Sequence, residues 1–272
     1  MSLTKSLEEG LSDALGLSHL EPLKGGRTNR VWKSRNHVIK LYAKDGATPL
    51  FGNSSDHEWA ALTTLNGKNI APTPIDHKRT AFGDVLIYEH AVGEIGYSDI
   101  TKVARLLGNL HTIDLPSALP SVEVGPSVLK QGSAMIPADD ALHKIKPEPV
   151  HGTPSAFIHR DPVFTNFVSG SDGLRLVDWQ CPGKGDPVED LAHFISPGMN
   201  HLYRDRLLSD EDIERFLNAY PDAATTDRYR RTGQSYHWRM ACYCAWQVAQ
   251  GNTAYGPALK AETRFLSSWP WA

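Results

Sequence analysis

The sequence has little cysteine and no strong excess of either charge. Three cysteines, Cys181, Cys242 and Cys244, stand among 272 residues, and no two of them form a C-x-x-C pair. A small, odd number of thiols argues against a disulfide framework and against a structural zinc site. The formal net charge is -3, from 28 basic and 31 acidic residues. This balance gives no reason to expect nucleic acid as a partner, because nucleic-acid binding requires a strongly basic face.

Long hydrophobic runs are also missing. No stretch approaches the run of about 20 apolar residues that crosses a bilayer. The first ten residues, M-S-L-T-K-S-L-E-E-G, contain no apolar core of a signal peptide. We therefore expect no membrane partner and a cytoplasmic location. The hydrophobic fraction of 40% nevertheless suffices for a packed interior, and 272 residues suit one large domain or two lobes.

The residues that are present change character along the chain. Alternating or apolar runs between turn residues predict strands in the first third, at residues 20–23, 30–34, 37–42, 74–77 and 85–90. Helices are predicted at 3–15, 55–65 and 99–111, a small hairpin across 167–177, and a mainly helical region from 187 onward. Residues 115–152, rich in Pro, Ser and Gly, support no assignment.

This distribution predicts an α+β protein with two lobes that meet near Gly93. Residues 1–92 would form a small lobe built on an antiparallel sheet. Residues 93–272 would form a larger and mainly helical lobe. No internal repeat or low-complexity tract is visible.

The strongest chemical signal is the segment His159-Arg160-Asp161-Pro162-Val163-Phe164-Thr165-Asn166. Phosphoryl transfer needs an acidic group that positions the attacking hydroxyl and takes its proton, and it needs oxygen ligands for magnesium. Asp161 suits the first role and the amide oxygen of Asn166 suits the second. Asp178 follows at the end of an apolar strand, where a bound magnesium ion would offset like-charge repulsion and desolvation. A lone aspartate there would more often cap a turn, but its pairing with the preceding loop favours a metal ligand.

These segments resemble the catalytic and metal-binding motifs of the aminoglycoside phosphotransferase and choline kinase superfamily, which shares the protein-kinase architecture. The family pattern of H-x-D, four residues and N matches at His159, Asp161 and Asn166, and the metal-binding aspartate matches Asp178. The resemblance implies a two-lobed protein-kinase-like fold, ATP and Mg²⁺ as cofactors, and a small-molecule alcohol as the phosphate acceptor. It implies that His159 supports the geometry of the catalytic loop.

The resemblance also implies a nucleotide clamp in the first lobe. Lys40 would hold the α- and β-phosphates, oriented by Glu58 in the following helix. Taken alone, Lys40 could be an outward-facing strand lysine and Glu58 a solvated helix residue, but their order along the chain favours the pair. The turn before the second strand would approach the phosphates with its backbone, and the segment after residue 85 would bond the adenine edge. The residues implied are Gly25, Gly26, Thr28 and Asn29 for the turn, and Glu89 and Ala91 for the adenine edge.

The acceptor site is predicted on the tryptophan-rich helix of the second lobe. Trp238 and Trp246 could bind a cationic acceptor over their faces, although aromatic residues at helical spacing more often belong to a core. Relatives often carry glutamate at the position of Gln180. The neutral amide of Gln180 would weaken recognition of a cation by charge. Glu189 and Asp205 are further candidates for contacting a cation.

Several functions therefore stay open. The leading acceptor is a choline-, ethanolamine- or thiamine-like amino alcohol, because the G-G-R-T-N turn and the tryptophan-rich helix resemble those of choline and thiamine kinases. An aminoglycoside is the alternative, for which we expect a more acidic pocket. A nucleotide-binding regulator without catalysis is a further alternative. A protein kinase is disfavoured, because no A-P-E-like segment follows Asp178. The sequence leaves the oligomeric state open.

Overall fold

The computed structural model describes residues 3–17, 19–23, 28–149, 155–204 and 206–271. Its first part is a five-stranded antiparallel sheet with strand order β1-β2-β3-β5-β4. The strands are β1 (Glu21–Pro22), β2 (Arg30–Ser34), β3 (His37–Leu41), β4 (Pro74–Thr80) and β5 (Gly83–Glu89). Two helices accompany them, α1 (Leu3–Leu15) before the sheet and α2 (Ser55–Leu65) between β3 and β4.

The sheet is covered on both faces, which explains why β3 is buried along most of its length. Ile39 and Leu41 pack with Leu11 of α1 on one face. Val38 packs on the other face with Leu62 of α2. Because side chains alternate across a strand, Lys40 shares the face of Val38 and therefore points towards α2. Helix α2 begins where the Ser54 hydroxyl accepts a hydrogen bond from the backbone N–H of His57 at 3.2 Å.

After β5 the chain passes Gly93, where an added Cβ would clash with the carbonyl oxygen of Ser169. The short strands that follow are β6 (Glu94–Ile95), β7 (Ala156–Ile158), β8 (Phe167–Gly170), β9 (Gly173–Leu176) and β10 (Gly183–Gly185). Strand β8 pairs with β6 and β9, and β7 pairs with β10. The helices are α3 (Ile100–His111), α4 (Pro126–Ala134), α5 (Val188–Ile195), α6 (Pro197–Tyr203), α7 (Asp210–Ala219), α8 (Ala223–Ala249) and α9 (Tyr255–Ser267).

Helix α8 runs through the hydrophobic core of the helical part of the chain. It has 27 residues, and its stretch from Ser235 to Cys244 is buried throughout. It packs against α4, α5 and α9. In the part of the chain described, no helix is both long and apolar enough to cross a membrane.

The predicted helices at 3–15 and 55–65 are confirmed, and the other predicted elements agree within a few residues. Residues 115–152, which the sequence left unassigned, contain α4 and a 3₁₀ helix at Ala141–Ile145. The division of the chain into lobes at residue 93 stays a prediction.

Candidate active site

Lys40 lies at the centre of a buried ion-pair network. Its Nζ is 2.6 Å from Glu58 Oε2 and 2.5 Å from Asp178 Oδ1. Burial acts to lower the pKa of Lys40, but Asp178 and Glu58 outweigh it and hold the pKa above its ordinary value. Glu58 also accepts hydrogen bonds from the Tyr42 hydroxyl and, at 3.3 Å, from the backbone N–H of Trp179. The lysine is therefore a fixed positive charge at the junction of the sheet with residues 178–179.

Asp190 of α5 anchors the start of the loop that runs from His159 to Asn166. The Asp190 carboxylate accepts the backbone N–H groups of His159 at 2.8 Å and Arg160 at 2.6 Å. It also contacts His111 Nε2 at 3.0 Å. Burial opposes ionisation of Asp190, but the hydrogen bonds from His111 and the loop backbone outweigh it and keep its pKa below the ordinary value. Asp190 thus ties the backbone of the loop together.

His159 lies behind the loop and not in the open site. It is fully buried, its Nδ1 accepts the N–H of Asp161 at 3.1 Å, and its Nε2 donates to the carbonyl of Val177 at 3.1 Å. Burial lowers the pKa of His159 and favours the neutral ring that these two bonds require. Both ring nitrogens are therefore engaged with the backbone, and His159 joins the loop to the strand end that carries Asp178.

Asp161, Asn166 and Asp178 meet around one small cavity. The Asn166 amide nitrogen donates to the carbonyl oxygen of Asp161 at 2.9 Å and to its Oδ2 at 3.2 Å. These three residues and Lys40 line a cavity of about 60 Å³, called the central cavity below. Asp178 has a φ of 64°, a conformation that a non-glycine residue adopts at some energetic cost and that is common at functional sites.

The same residues fit a magnesium ion. Since the Asn166 nitrogen is turned towards Asp161, its amide oxygen is the atom left for a metal, beside the Asp178 carboxylate. Among the described residues, no group of three His, Cys, Asp or Glu side chains could hold a metal. A metal here would therefore rest on Asn166 and Asp178 together with oxygens of its ligand, and magnesium is commonly bound by one or two carboxylates plus phosphates.

A larger cavity opens from the central one on the side of the sheet. This sheet-side cavity has a volume of about 320 Å³ and shares Val31, Lys40, Asn166 and Asp178 with the central cavity. Its walls are mostly apolar and include Val38, Tyr88, Ala91 and Val168. Glu89, next to this rim, is exposed, and its backbone N–H donates to the Thr73 carbonyl at 2.9 Å.

A third cavity, larger than these two, opens on the side of the helices. This helix-side cavity has a volume of about 690 Å³ and shares Thr28, Asp161 and Gln180 with the central cavity. Five aromatic residues line it, namely Phe51, Tyr203, Tyr243, Trp246 and Tyr255. The rings of Tyr243 and Trp246 stack at 5.9 Å with an angle of 21° between their planes. Asp161 therefore lies where the central cavity meets a cavity lined by aromatic rings.

Comparison with known proteins supports the resemblance that the motifs suggest. The sequence profile of the phosphotransferase enzyme family matches residues 19–232. The chain belongs to the phosphotransferase enzyme family. No curated protein matches the chain by sequence.

Several solved structures share the fold of this phosphotransferase. A choline/ethanolamine kinase family protein from Mesorhizobium loti superimposes with a TM-score of 0.73 at 15% identity, covering 98% of this chain and 95% of that one. An ethanolamine kinase from Plasmodium vivax gives 0.62 at 16% identity, covering 92% and 82%. A spectinomycin phosphotransferase in complex with ADP and spectinomycin gives 0.60 at 16% identity, covering 96% and 94%. The expected protein-kinase-like α+β fold, with a small antiparallel sheet and a larger helical part, is confirmed.

The structure corrects the prediction for Trp238 in this phosphotransferase. Trp238 is fully buried, and its indole N–H donates to the Leu142 carbonyl at 2.8 Å. Trp246 instead lines the helix-side cavity. Eight residues along an α-helix turn the side chain by about 80° and advance it by about 12 Å along the axis, so the two rings meet different neighbours. Trp238 belongs to the core that joins α4, α8 and the 3₁₀ helix.

Glu189 is also not available to bind a cation. It is 2% exposed, and its Oε1 lies 3.0 Å from Arg160 Nε and 2.7 Å from Arg239 Nη2. Burial opposes ionisation of Glu189, but the guanidinium groups of Arg239 and Arg160 outweigh it and hold its pKa below the ordinary value. The Glu189 carboxylate is therefore already paired with Arg160 and Arg239 in a buried cluster of charges.

The predicted turn residues are only partly placed by the structure. Asn29 is buried and donates to the side-chain oxygens of Gln180 at 2.8 Å and Asn53 at 2.7 Å, and Thr28 lines the central cavity. Gln180 therefore connects the turn to both the central and the helix-side cavity. Gly25, Gly26 and Asp205 lie outside the described residues.

Sequence reasoning missed the contribution of the segment from residue 43 to residue 54. Phe51 and Asp45 of this segment line the helix-side cavity, and the Leu50 carbonyl accepts a hydrogen bond from Arg160 Nη2 at 2.8 Å. No motif marks this segment. Tyr243, by contrast, shares nearly the same helix face as Trp246, because it precedes Trp246 by three positions on α8.

Proposed function

We propose that the phosphotransferase transfers the γ-phosphoryl group of ATP to a hydroxyl group of a small molecule. The observation that carries this proposal is that Asp161 lines both the central and the helix-side cavity, while the central cavity shares Lys40, Asn166 and Asp178 with the sheet-side cavity. ATP would enter the sheet-side cavity with its phosphates towards Lys40, and the acceptor would enter the helix-side cavity. In-line transfer needs the two substrates to meet at one point, which would be the central cavity.

The residues of the central cavity would share the work of positioning and charge stabilisation. Lys40, oriented by Glu58, would exchange its contact with Asp178 for oxygens of the α- and β-phosphates. Asn166 and Asp178 would hold Mg²⁺, which would neutralise charge on the phosphates when bound. Asp161 would orient the acceptor hydroxyl and take its proton while the new P–O bond forms and the bond to ADP breaks. Positioning and electrostatics can supply most of such a rate enhancement, because the transition state is largely dissociative.

The apolar sheet-side cavity suits a nucleobase. Val31, Val38 and Val168 would contact its two faces, and backbone groups near Glu89 and Ala91 would bond its edge. Since backbone atoms would make these bonds, the identity of the two side chains contributes little. Thr28 and Asn29 would place the turn over the phosphates.

The lining of the helix-side cavity favours a cationic amino alcohol such as choline, ethanolamine or thiamine. Its five aromatic rings outnumber its two carboxylates, Asp45 and Asp161, one of which is the proposed base. A cation over an aromatic face gains about 0.5–2 kcal/mol. Trp246 and Tyr243 offer the stacked faces, and Gln180 lies towards the reacting end, since it also lines the central cavity.

An aminoglycoside is the second candidate acceptor. The volume of about 690 Å³ favours it, because this lies in the range of pockets that hold drug-sized ligands, about 300–1,000 Å³. The spectinomycin phosphotransferase that shares the fold shows that the architecture is compatible with such an acceptor in another protein.

A screen for acceptor-dependent ADP release tests the proposal. Choline, ethanolamine, thiamine, aminoglycosides and sugars would each be incubated with ATP, with and without magnesium, and products would be identified by the added mass of one phosphate. We expect one class to give a phosphorylated product only with magnesium and not with the Asp161→Asn variant. Tight ATP binding without a phosphorylated product from any class would favour a non-catalytic nucleotide-binding regulator.

A further inference from the structure

His193 of α5 lies beside Asp161 and has no task in the mechanism above. Its side chain is 4% exposed, and its Nε2 is 3.1 Å from Asp161 Oδ1. Within the described residues this nitrogen is buried and makes no aligned hydrogen bond. A buried polar atom without a hydrogen-bond partner destabilises the folded state. A small rotation that directs the N–H at Oδ1 would remove this destabilisation, so the carboxylate is the natural partner.

The second oxygen of Asp161 is held from the other side. Asn166 Nδ2 donates to Oδ2 at 3.2 Å, while His193 faces Oδ1. The carboxylate therefore stands between two nitrogen donors carried by different elements, the loop itself and α5. A group that must accept a proton from a bound hydroxyl works only in a narrow range of orientations, and a misplacement of about 1 Å can cost about 100-fold in rate.

His193 is in turn packed against the wall of the helix-side cavity. Its ring meets Phe51 edge-on, with centroids 5.5 Å apart and an interplanar angle of 81°. Phe51 meets Tyr243 edge-on in the same way, at 5.1 Å and 87°. Phe51 and Tyr243 both line the cavity, whereas His193 does not belong to its described lining. A continuous row of rings thus runs from the cavity wall to Asp161.

We propose that His193 is a positioning residue that holds the Asp161 carboxylate towards the acceptor hydroxyl, with Phe51 linking this contact to the acceptor cavity. This inference rests on the proposed function, because it takes Asp161 as the base. His193 acts through Asp161 and contacts neither substrate.

Kinetics of matched variants test the positioning role. His193→Phe keeps a ring but removes the donor, and we expect it to lower kcat by about 10- to 100-fold with the KM for ATP within twofold of the parent. His193→Gln can present an amide N–H near the position of Nε2, and we expect it to recover most of the loss. His201→Phe changes an exposed histidine of α6 and should leave kcat unchanged. Equal losses in His193→Phe and His193→Gln, or a kcat within twofold in both, would overturn the proposal.

A second measurement needs no acceptor and separates this inference from the proposed function. The imidazole ¹⁵N resonances of His193, assigned by their loss in His193→Gln, would be compared between the parent and Asp161→Ala. We expect them to shift in Asp161→Ala and to stay in place in Asp172→Ala, which changes an exposed aspartate in the β8–β9 turn. Unmoved resonances in Asp161→Ala would overturn the proposal even if the enzyme phosphorylates an acceptor. If the resonances shift but the screen yields no product, the contact between His193 and Asp161 is supported and the proposed function is refuted.

Discussion

Replacing Glu189 by glutamine removes the negative charge between two buried guanidinium groups. Arg160 and Arg239 both contact Glu189 Oε1, at 3.0 Å and 2.7 Å, and all three side chains are less than a tenth exposed. Glutamine keeps the volume and one oxygen, but the two positive charges then face each other without compensation. Because Arg160 immediately precedes Asp161, the change also loosens the segment that carries the proposed base.

The expected loss of stability follows from the burial of this cluster. Removing one partner of a buried ion pair costs about 3–5 kcal/mol, since the remaining charge is left unpaired in a poorly polarisable interior. In a protein of this size one kcal/mol corresponds to about 2–4 °C in Tm. We therefore expect Glu189→Gln to lower Tm by about 6–20 °C at neutral pH.

Calorimetric unfolding of the parent, Glu189→Gln and a matched control measures this loss. The control is Glu214→Gln, which alters a 45%-exposed glutamate paired with Arg230 at 3.2 Å. A surface pair of this kind contributes about 0–1 kcal/mol, so its Tm should change little. Equal Tm values for the two variants would refute the account of the cluster.

The effect of Glu189→Gln should also depend on pH in one direction. The folded state holds the pKa of Glu189 below its ordinary value of 4.5. Its contribution to stability is therefore fully present above that value and is lost as the pH falls through the lower pKa of the folded state. We expect the gap in stability between the parent and the variant to be constant near neutrality and to narrow only in acid, below about pH 4.5. A gap that widens in acid would contradict the assignment.

Three further predictions concern the loop and the aromatic residues. Asp190→Asn should lower kcat at least tenfold and stability by about 1.5–3 kcal/mol, measured by initial rates and chemical unfolding, because it weakens charge-assisted bonds to the loop backbone. Trp246→Leu should raise the KM for a cationic acceptor by about 2- to 30-fold and leave the KM for ATP unchanged, and an unchanged acceptor KM would remove Trp246 from the site. Trp238→Leu should instead lower the free energy of unfolding by about 2–5 kcal/mol, as measured by chemical unfolding. The acceptor KM of the folded variant, measured by initial rates, should change little.

The nucleotide side of the candidate site could be predicted from sequence because local rules decide it. Alternation along β3 places Lys40 on the face of Val38, and the helix that follows covers that face. Glu58, in the first turn of that helix, is therefore brought to Lys40 by the order of the elements alone. The spacing of Asp161 and Asn166 in one short loop likewise limits how far apart they can lie.

The acceptor side could not be predicted in the same way, since it depends on packing between elements far apart in sequence. Helical periodicity separates Trp238 from Trp246 by angle, but it does not say which face of α8 meets a cavity and which meets α4. Phe51 lies in a segment without regular structure, and its position depends on the contact of Leu50 with Arg160. His193 carries no motif, and only the packing of α5 under the loop brings it to Asp161.

The most direct test of the central claim compares ATP binding and turnover in Asp161→Asn. If Asp161 takes the proton of the acceptor hydroxyl, turnover with the acceptor found in the screen should fall by about 100- to 10,000-fold. The Kd for ATP with magnesium, measured by calorimetry, should stay within a few-fold of the parent value, because Lys40, Asn166 and Asp178 are unchanged. Turnover within tenfold of the parent, with ATP binding intact, would contradict the account.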